Sequence, residues 1–293
     1  MNRTSRRRLL QTAAAAASAA AMPGLLPAAS DAPHRPGRGR VKQSIAHWCF
    51  QKYWDIEKLC KIAVELGCRS IELVEPKDWP TLRKHGLVCA LAASHSFDKG
   101  INNPKYHDMC LAKLREAVDA CREAGFPNVI TFTGFREDIP DDVGIVNCVR
   151  ALKAVAAHAE KSKVNLCLEM LNSRVNVEMK GHPGYQGDHV DYCMEIIRKV
   201  GSERVKLLFD VYHVQIMDGD LIARFRQCKV HVGHVHLAGN PGRRELDDQQ
   251  EINYAAVMRA IADSGYDGYA AHEFIPTGDP LQGLTAAVRL CDV

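Results

Sequence analysis

The chain has 293 residues, 46% of them hydrophobic and 25% charged, which excludes a disordered or collagen-like polymer and suits one large α/β domain of about 250 residues. Its net charge of +3 belongs to the start of the chain: residues 1–40 hold seven arginines and one aspartate, leaving about −3 for the remainder. A nucleic-acid footprint of clustered Lys and Arg on one face is therefore not expected.

The first forty residues are compositionally distinct. Arg6-Arg7-Arg8 precedes Leu9-Leu10, an Ala-rich apolar run continues to about Leu26, and Pro27-Ala28-Ala29-Ser30 follows. A basic start, a short apolar middle and a small-residue exit are the parts of a secretory signal, and the paired arginines resemble the twin-arginine type. We expect a signal over residues 1–30, a Pro/Gly/Arg linker over 31–43 and a barrel over 44–293. That address implies export, to the periplasm, with no stable membrane insertion once the signal is removed, because the run is shorter than the roughly 20 residues of a span. The eleven cysteines lie singly within apolar segments, and their odd number and spacing suggest buried small hydrophobes in a chain folded before export.

Ser44–Phe50 reads as the first strand, with Trp48 and Phe50 as candidate pocket walls. Ile56–Leu66 has a helical period closed by Gly67. Ser70–Glu75 is the second strand and Leu87–Ala93 the third, ending near His95. A helix over Pro104–Ala124 leads to strand four, Asn128–Phe132, and a helix over Asp141–Ser162 to strand five, Val164–Glu169. Leu171–Gly187 is long for a βα loop, as lids often are. A helix over Asp188–Val200, strand six over Arg204–Asp210, a helix over Asp218–Cys228 and strand seven over Lys229–Ala238 follow. The helix over Asn253–Ser264, a strand ending at Glu273 and a helix from Leu281 complete eight strand–helix alternations. The pattern predicts an α/β fold of the (β/α)8, or TIM-barrel, class, with no dinucleotide or P-loop fingerprint.

Four strand ends carry Glu169, Asp210, His236 and Glu273, spaced 41, 26 and 37 residues apart. A βα unit needs about 30 residues, so these side chains recur once per unit and converge on one rim of a barrel. Three carboxylates in one place repel unless a cation joins them. With one imidazole they form a hard O/N set suited to Mn²⁺, Mg²⁺ or Co²⁺. His213 and Arg243 lie nearby in sequence and suit an anionic or polyhydroxylated small molecule. Glu75 and His95 are further candidates to line its site. Glu169 and Glu273 are candidate ligands and proton shuttles at once.

The segments Leu168-Glu-Met-Leu-Asn172, Phe209-Asp-Val-Tyr-His213, Gly233-His-Val-His-Leu-Ala-Gly-Asn-Pro-Gly-Arg243 and Glu251-Ile-Asn-Tyr254, with Glu273, resemble the hydroxypyruvate isomerase family of the xylose-isomerase-like superfamily. The resemblance spans residues 44–290. It implies reversible conversion of hydroxypyruvate to 2-hydroxy-3-oxopropanoate through an enediolate, with Glu169 and Glu273 exchanging the proton. His236 departs from the glutamine of those isomerases and is similar to the histidine of ketose 3-epimerases. Alternatives are therefore a ketose 3-epimerase or sugar isomerase, a polyol-ketone dehydratase, and a non-catalytic exported sugar-binding barrel. Oligomeric state is open.

Overall fold

A computed structural model describes residues 39–293; the expected signal and most of the expected linker lie outside the described residues. Seven strands form one parallel sheet: β1 (Lys42–Ala46), β2 (Ser70–Glu72), β3 (Asn128–Phe132), β4 (Asn165–Glu169), β5 (Val205–Asp210), β6 (Val232–Leu237) and β7 (Tyr269–His272), in the order β2-β1-β7-β6-β5-β4-β3. Residues 87–92 fill the gap between β2 and β3. Ile71 N–H donates to Val88 O at 3.2 Å and Leu73 N–H to Leu91 O at 2.9 Å on one side. On the other, Ala92 N–H donates to Asn128 O at 2.9 Å and Ile130 N–H to Ala92 O at 3.0 Å.

The barrel is thus closed, but its eighth member is a pair of bridges and not the regular strand expected over Leu87–Ala93. Side chains explain the interruption. Ala90 N–H donates to Ser70 Oγ at 2.9 Å, and Ala90 O accepts from Asn128 Nδ2 at 2.8 Å, so its backbone groups are satisfied without a ladder.

Helices cover the outside of the ring and bury one face each. In Ile56–Glu65 the buried residues Leu59, Cys60, Ile62 and Ala63 follow the helical period, and Asp55 caps the start by accepting from Lys58 N–H at 2.8 Å. A large apolar cluster fills the layer between sheet and helices, whereas the barrel interior holds a small one, Leu91, Ile130, Cys167 and Leu208. The rest of the interior is polar: Glu72, His234 and His236 are fully buried there. All eleven cysteines are free and buried. No helix among the described residues is long and apolar enough to cross a membrane.

Three expected boundaries shift. The first strand ends at Ala46, and His47–Phe50 is a short helix that swings Trp48 over the rim while Phe50 packs into the core against Trp54 and Phe274. The helix expected over Asp218–Cys228 is preceded by another, Val211–Met217, because Asp210 caps that segment directly at the strand end; the chain turns at Gly219, φ +66°, before Leu221–Cys228. Lys229–His231 is a 3₁₀ turn, so strand seven starts at Val232.

Candidate active site

Parallel register puts the C-terminal ends of β4 to β7 at one level. Asp210 pairs with His236 across β5 and β6, and Glu273 N–H extends the β7 pairing to Leu237 O at 2.9 Å. Glu169, Asp210, His236 and Glu273 are all buried, and one ligand atom from each lies within 4.8 Å of every other. His236 Nδ1 is the centre of the group. It stands 3.1 Å from Glu169 Oε1, 2.8 Å from Glu273 Oε2 and 3.9 Å from Asp210 Oδ2.

Asp210 divides its two oxygens. Oδ1 accepts the backbone N–H groups of Tyr212 at 2.8 Å and His213 at 3.1 Å, which fixes the carboxylate, and Oδ2 points at the cluster without a hydrogen-bond partner. An unpartnered buried carboxylate oxygen is costly. Three buried carboxylates, Glu169, Asp210 and Glu273, face the Arg243 guanidinium and the His236 imidazole, so acidic groups outnumber basic ones at the cluster. Donor chemistry, geometry and the orphaned Oδ2 all fit a divalent cation.

Arg243 arrives from the β6 loop. That loop is closed by Gly239 N–H to Arg244 O at 2.8 Å and Arg244 N–H to Gly239 O at 3.1 Å, and a Cβ on Gly239 would run into Glu245 O. Its guanidinium ion-pairs through Nη2 with Glu273 Oε2 and donates through Nη1 to Met179 O at 2.7 Å, leaving Nε without a partner. The fork is thus engaged by protein groups. Trp48 donates from Nε1 to Glu273 Oε1 at 2.8 Å, and its ring centroid lies 5.1 Å from the guanidinium.

These neighbours push the two glutamates apart. Burial pushes the Glu169 carboxyl up to about 7. Burial acts on Glu273 in the same sense, but Arg243 and His236 override it and hold that carboxyl well below its usual range. One is disposed to hold a proton and the other to stay ionised. Burial would lower His236, yet Glu273, Glu169 and Glu72 together hold it well above its ordinary value.

His213 is also buried at the site, with Nε2 3.6 Å from Asp210 Oδ2. Its Nδ1 accepts from Asn172, and burial together with Arg243 holds the ring neutral, well below its usual value. His95 lines the cavity, but both its nitrogens are engaged, Nδ1 with Ser96 O at 3.1 Å and Nε2 with Thr131 Oγ1 at 2.8 Å. Glu75 is not brought in. The second strand ends at Glu72 and Leu73 takes φ 56°, which breaks the alternation and leaves Glu75 exposed before a 3₁₀ turn.

Glu72 takes the interior position instead, and sequence reasoning missed it. Its carboxylate lies 2.8 Å from His236 Nε2 and 2.9 Å from His234 Nε2. Burial would raise it, but the two imidazoles win and hold it at about 2. A usable signal was present: His234 and His236 alternate onto the same strand face, and two buried imidazoles need a partner. Also unanticipated are Phe97, Phe132, Met179 and His182, which with Trp48, Leu171 and Arg243 wall a cavity of about 300 Å³ opening onto Glu169 and Glu273. A larger depression of about 910 Å³ lies at the opposite strand ends, by Lys42, Asn128 and Gly233, away from the converging side chains.

A family model described as "Xylose isomerase-like TIM barrel" matches residues 60–291. The hydroxypyruvate isomerase of Escherichia coli strain K12 is 32% identical over 236 residues, covering 76% of this chain and 88% of that protein. The chain belongs to the hydroxypyruvate isomerase family of these barrels. A 2-oxo-tetronate isomerase of Cupriavidus necator is similar over a shorter stretch, 31% identical across 150 residues, covering 50% of this chain and 55% of that protein. Among solved structures, an AP endonuclease, family 2, from Brucella melitensis superposes with a TM-score of 0.73 at 22% identity, covering 83% of this chain and 96% of that one. That likeness concerns the fold alone.

Proposed function

We propose that this isomerase moves a proton between adjacent carbons of a small hydroxy-keto acid, with hydroxypyruvate and 2-hydroxy-3-oxopropanoate as the substrate pair. The observation that carries the reading is the convergence of Glu169 and Glu273, in opposite protonation tendencies, on one cavity of about 300 Å³. Glu273, kept ionised by Arg243, removes a proton from the C3 hydroxymethyl carbon. The electron pair of that C–H bond becomes the C2–C3 double bond of an enediolate. The C2 carbonyl pair moves onto its oxygen, which takes the C3 hydroxyl proton. Glu169, which burial disposes to hold a proton, delivers it to C2 as the C3 oxygen forms the aldehyde, and the proton on Glu273 returns to Glu169 through solvent, so no atom or electron is gained or lost.

His213 supplies a neutral N–H from Nε2 to the substrate oxygen that gains charge, which a low-dielectric site makes effective. Trp48 and Arg243 hold Glu273 in place, and the aromatic wall of Phe97, Phe132 and His182 excludes water. Glu169, Asp210, His236 and Glu273 would hold a divalent cation, Mn²⁺, Mg²⁺ or Co²⁺, which when bound offsets their negative charge and makes a proton beside a carbonyl more acidic.

A second reading, epimerisation of a ketose, draws on His236, since the same two carboxylates could remove and return a proton at one carbon. Product analysis separates them. Incubation with hydroxypyruvate yields an aldehyde of unchanged mass on the first reading, whereas on the second only ketoses are converted, to their epimers. Loss of one water from any substrate would favour dehydration over both, and ligand binding without conversion would favour a binding protein. We further propose export of the folded protein through its N-terminal segment, which its eleven unpaired, buried cysteines suit. Fractionation of cells expressing the full chain tests this: recovery only in the cytoplasm would contradict it.

A further inference from the structure

The imidazole of His236 is held from both ends, and only one end faces the carboxylate cluster. Nδ1 faces Glu169, Asp210 and Glu273, while Nε2 faces away from the rim, 2.8 Å from Glu72 Oε1. Glu72, His234 and His236 are all fully buried, and among the described residues Glu72 Oε1 is the hydrogen-bond partner of His236 Nε2. Glu72 Oε1 also meets a second imidazole, His234 Nε2, at 3.0 Å, while Oε2, 2.9 Å from the same nitrogen, makes no hydrogen bond. The two rings stand perpendicular, with centroids 5.1 Å apart, so one carboxylate meets both ring edges. Such a buried carboxylate serves as an acceptor only if it is held in place, and the His234 contact at the same oxygen helps to hold it.

We infer that Glu72 is a positioning residue, holding His236 as the Nε2–H tautomer so that the Nδ1 lone pair is aimed at Glu169, Asp210 and Glu273 for a divalent cation, with His234 locking Glu72. This rests on the cation reading above and deepens it. An imidazole whose other nitrogen donates to a carboxylate is a better ligand and a better oriented one, and loss of such a partner typically weakens metal binding about 10- to 100-fold. Glu72 comes from β2 and touches neither the cavity nor the substrate, so its effect passes wholly through His236.

Glu72, His234 and His236 also satisfy the spacing for an ion of their own. The orphaned Glu72 Oε2 would suit such an ion, but the structure favours the hydrogen-bonded arrangement because His236 would have to give up protons from both nitrogens to ligate two ions at once.

The test uses the purified protein and its Glu72→Gln variant, which keeps the shape of the side chain and removes its charge. Mn²⁺ affinity and stoichiometry are read by calorimetry, and the His236 tautomer by ¹⁵N imidazole spectra of the Mg²⁺-loaded protein, assigned with His236→Gln. The expected results are one ion per wild-type chain, a proton on His236 Nε2, and a dissociation constant raised about 10- to 100-fold in Glu72→Gln. His234→Asn should weaken binding by a smaller factor. A Glu72→Gln variant that binds Mn²⁺ as wild type does, or a wild-type His236 protonated on Nδ1 with the ion present, overturns the inference. Two ions per wild-type chain, with one lost in Glu72→Gln, overturns it in favour of a second ion site. Wild-type protein that binds no divalent ion sinks the cation reading itself, and the inference with it. Should Glu72→Gln fail to fold, the wild-type tautomer and stoichiometry decide alone.

Discussion

Asn172 donates twice to one atom of His213: its backbone N–H reaches Nδ1 at 3.0 Å and its side-chain amide at 2.7 Å. The amide cannot be turned round, because its Oδ1 accepts Val175 N–H at 3.0 Å and its Nδ2 also donates to Lys180 O at 2.8 Å. Nδ1 of His213 is therefore an acceptor, and the ring's single proton sits on Nε2, facing the site.

Replacing that amide should change the rate through the imidazole. Asn172→Ala keeps the backbone donor and should lower kcat about fivefold, the worth of one hydrogen bond of about 1 kcal/mol. Asn172→Asp offers a carboxylate that draws a proton onto Nδ1 and should cost more than Asn172→Ala, up to about 10⁴-fold, the cost of a wrong-tautomer substitution in a serine protease. Steady-state kinetics on the isomerised substrate check this, and equal effects of the two substitutions would contradict it.

Removing metal should abolish turnover and lower the thermal midpoint. The crowding of Glu169, Asp210 and Glu273 is a strain on the folded state that a bound cation would relieve. Saturating the site at about 100 times the dissociation constant should stabilise the fold by about 2.7 kcal/mol. Chelator-treated protein titrated with Mn²⁺ in a thermal unfolding assay gives the shift, and no shift with full activity would exclude the cation.

Acid should destabilise the fold through buried neutral histidines. Burial lowers His95 to about 4, and His182 is lowered to about 4 in the same way. Between that value and the ordinary one near 6.5, the unfolded chain binds more protons than the folded one. The stability these rings contribute is thus complete above about pH 6.5 and is lost as pH falls towards 4. For His95 the loss between pH 7 and 5 should approach roughly 2 kcal/mol. Urea unfolding of wild type and His95→Gln at both pH values measures it: the variant should lose correspondingly less, and parallel losses would contradict the assignment.

The thiols should be silent in the native state. All eleven cysteines are free and buried, and burial raises groups such as Cys68 and Cys89 to about 12. A thiol reagent at neutral pH should label almost none until denaturant is added, and then all eleven. Rapid native labelling or a shortfall after denaturation would contradict this.

Much of the fold was legible because strands and helices alternate with clear periods, and the four strand-end side chains were legible because each closes an apolar run at βα spacing. What escaped lay where backbone or partner chemistry overrides the period. Glu75 looked like the end of β2, but the left-handed Leu73 turns the chain, and Glu72 is the carboxylate inside. The segment 87–92 keeps its place in the ring while its hydrogen bonds go partly to Ser70 and Asn128 side chains, which no hydropathy pattern records. Arg243 was expected to be free for a substrate, and whether it serves one depends on Glu273 and Met179 O, contacts made 30 and 64 residues away. The cavity wall draws on residues from separate loops, Phe97, Met179 and His182, whose meeting is a property of the folded chain alone.

Proton exchange tests the proposed chemistry most directly. Wild-type protein loaded with Mn²⁺ or Mg²⁺ is incubated with hydroxypyruvate in D₂O, and deuterium in substrate and product is followed by mass and NMR, alongside Glu169→Gln and Glu273→Gln. Two carboxylates working as a proton donor and acceptor pair predict deuterium at C3 of recovered hydroxypyruvate and at C2 of the aldehyde. Both signals should fall by about 10²- to 10⁴-fold in either variant. Metal-loaded wild type that binds hydroxypyruvate yet incorporates no deuterium and forms no product, or exchange that survives both substitutions, would contradict it.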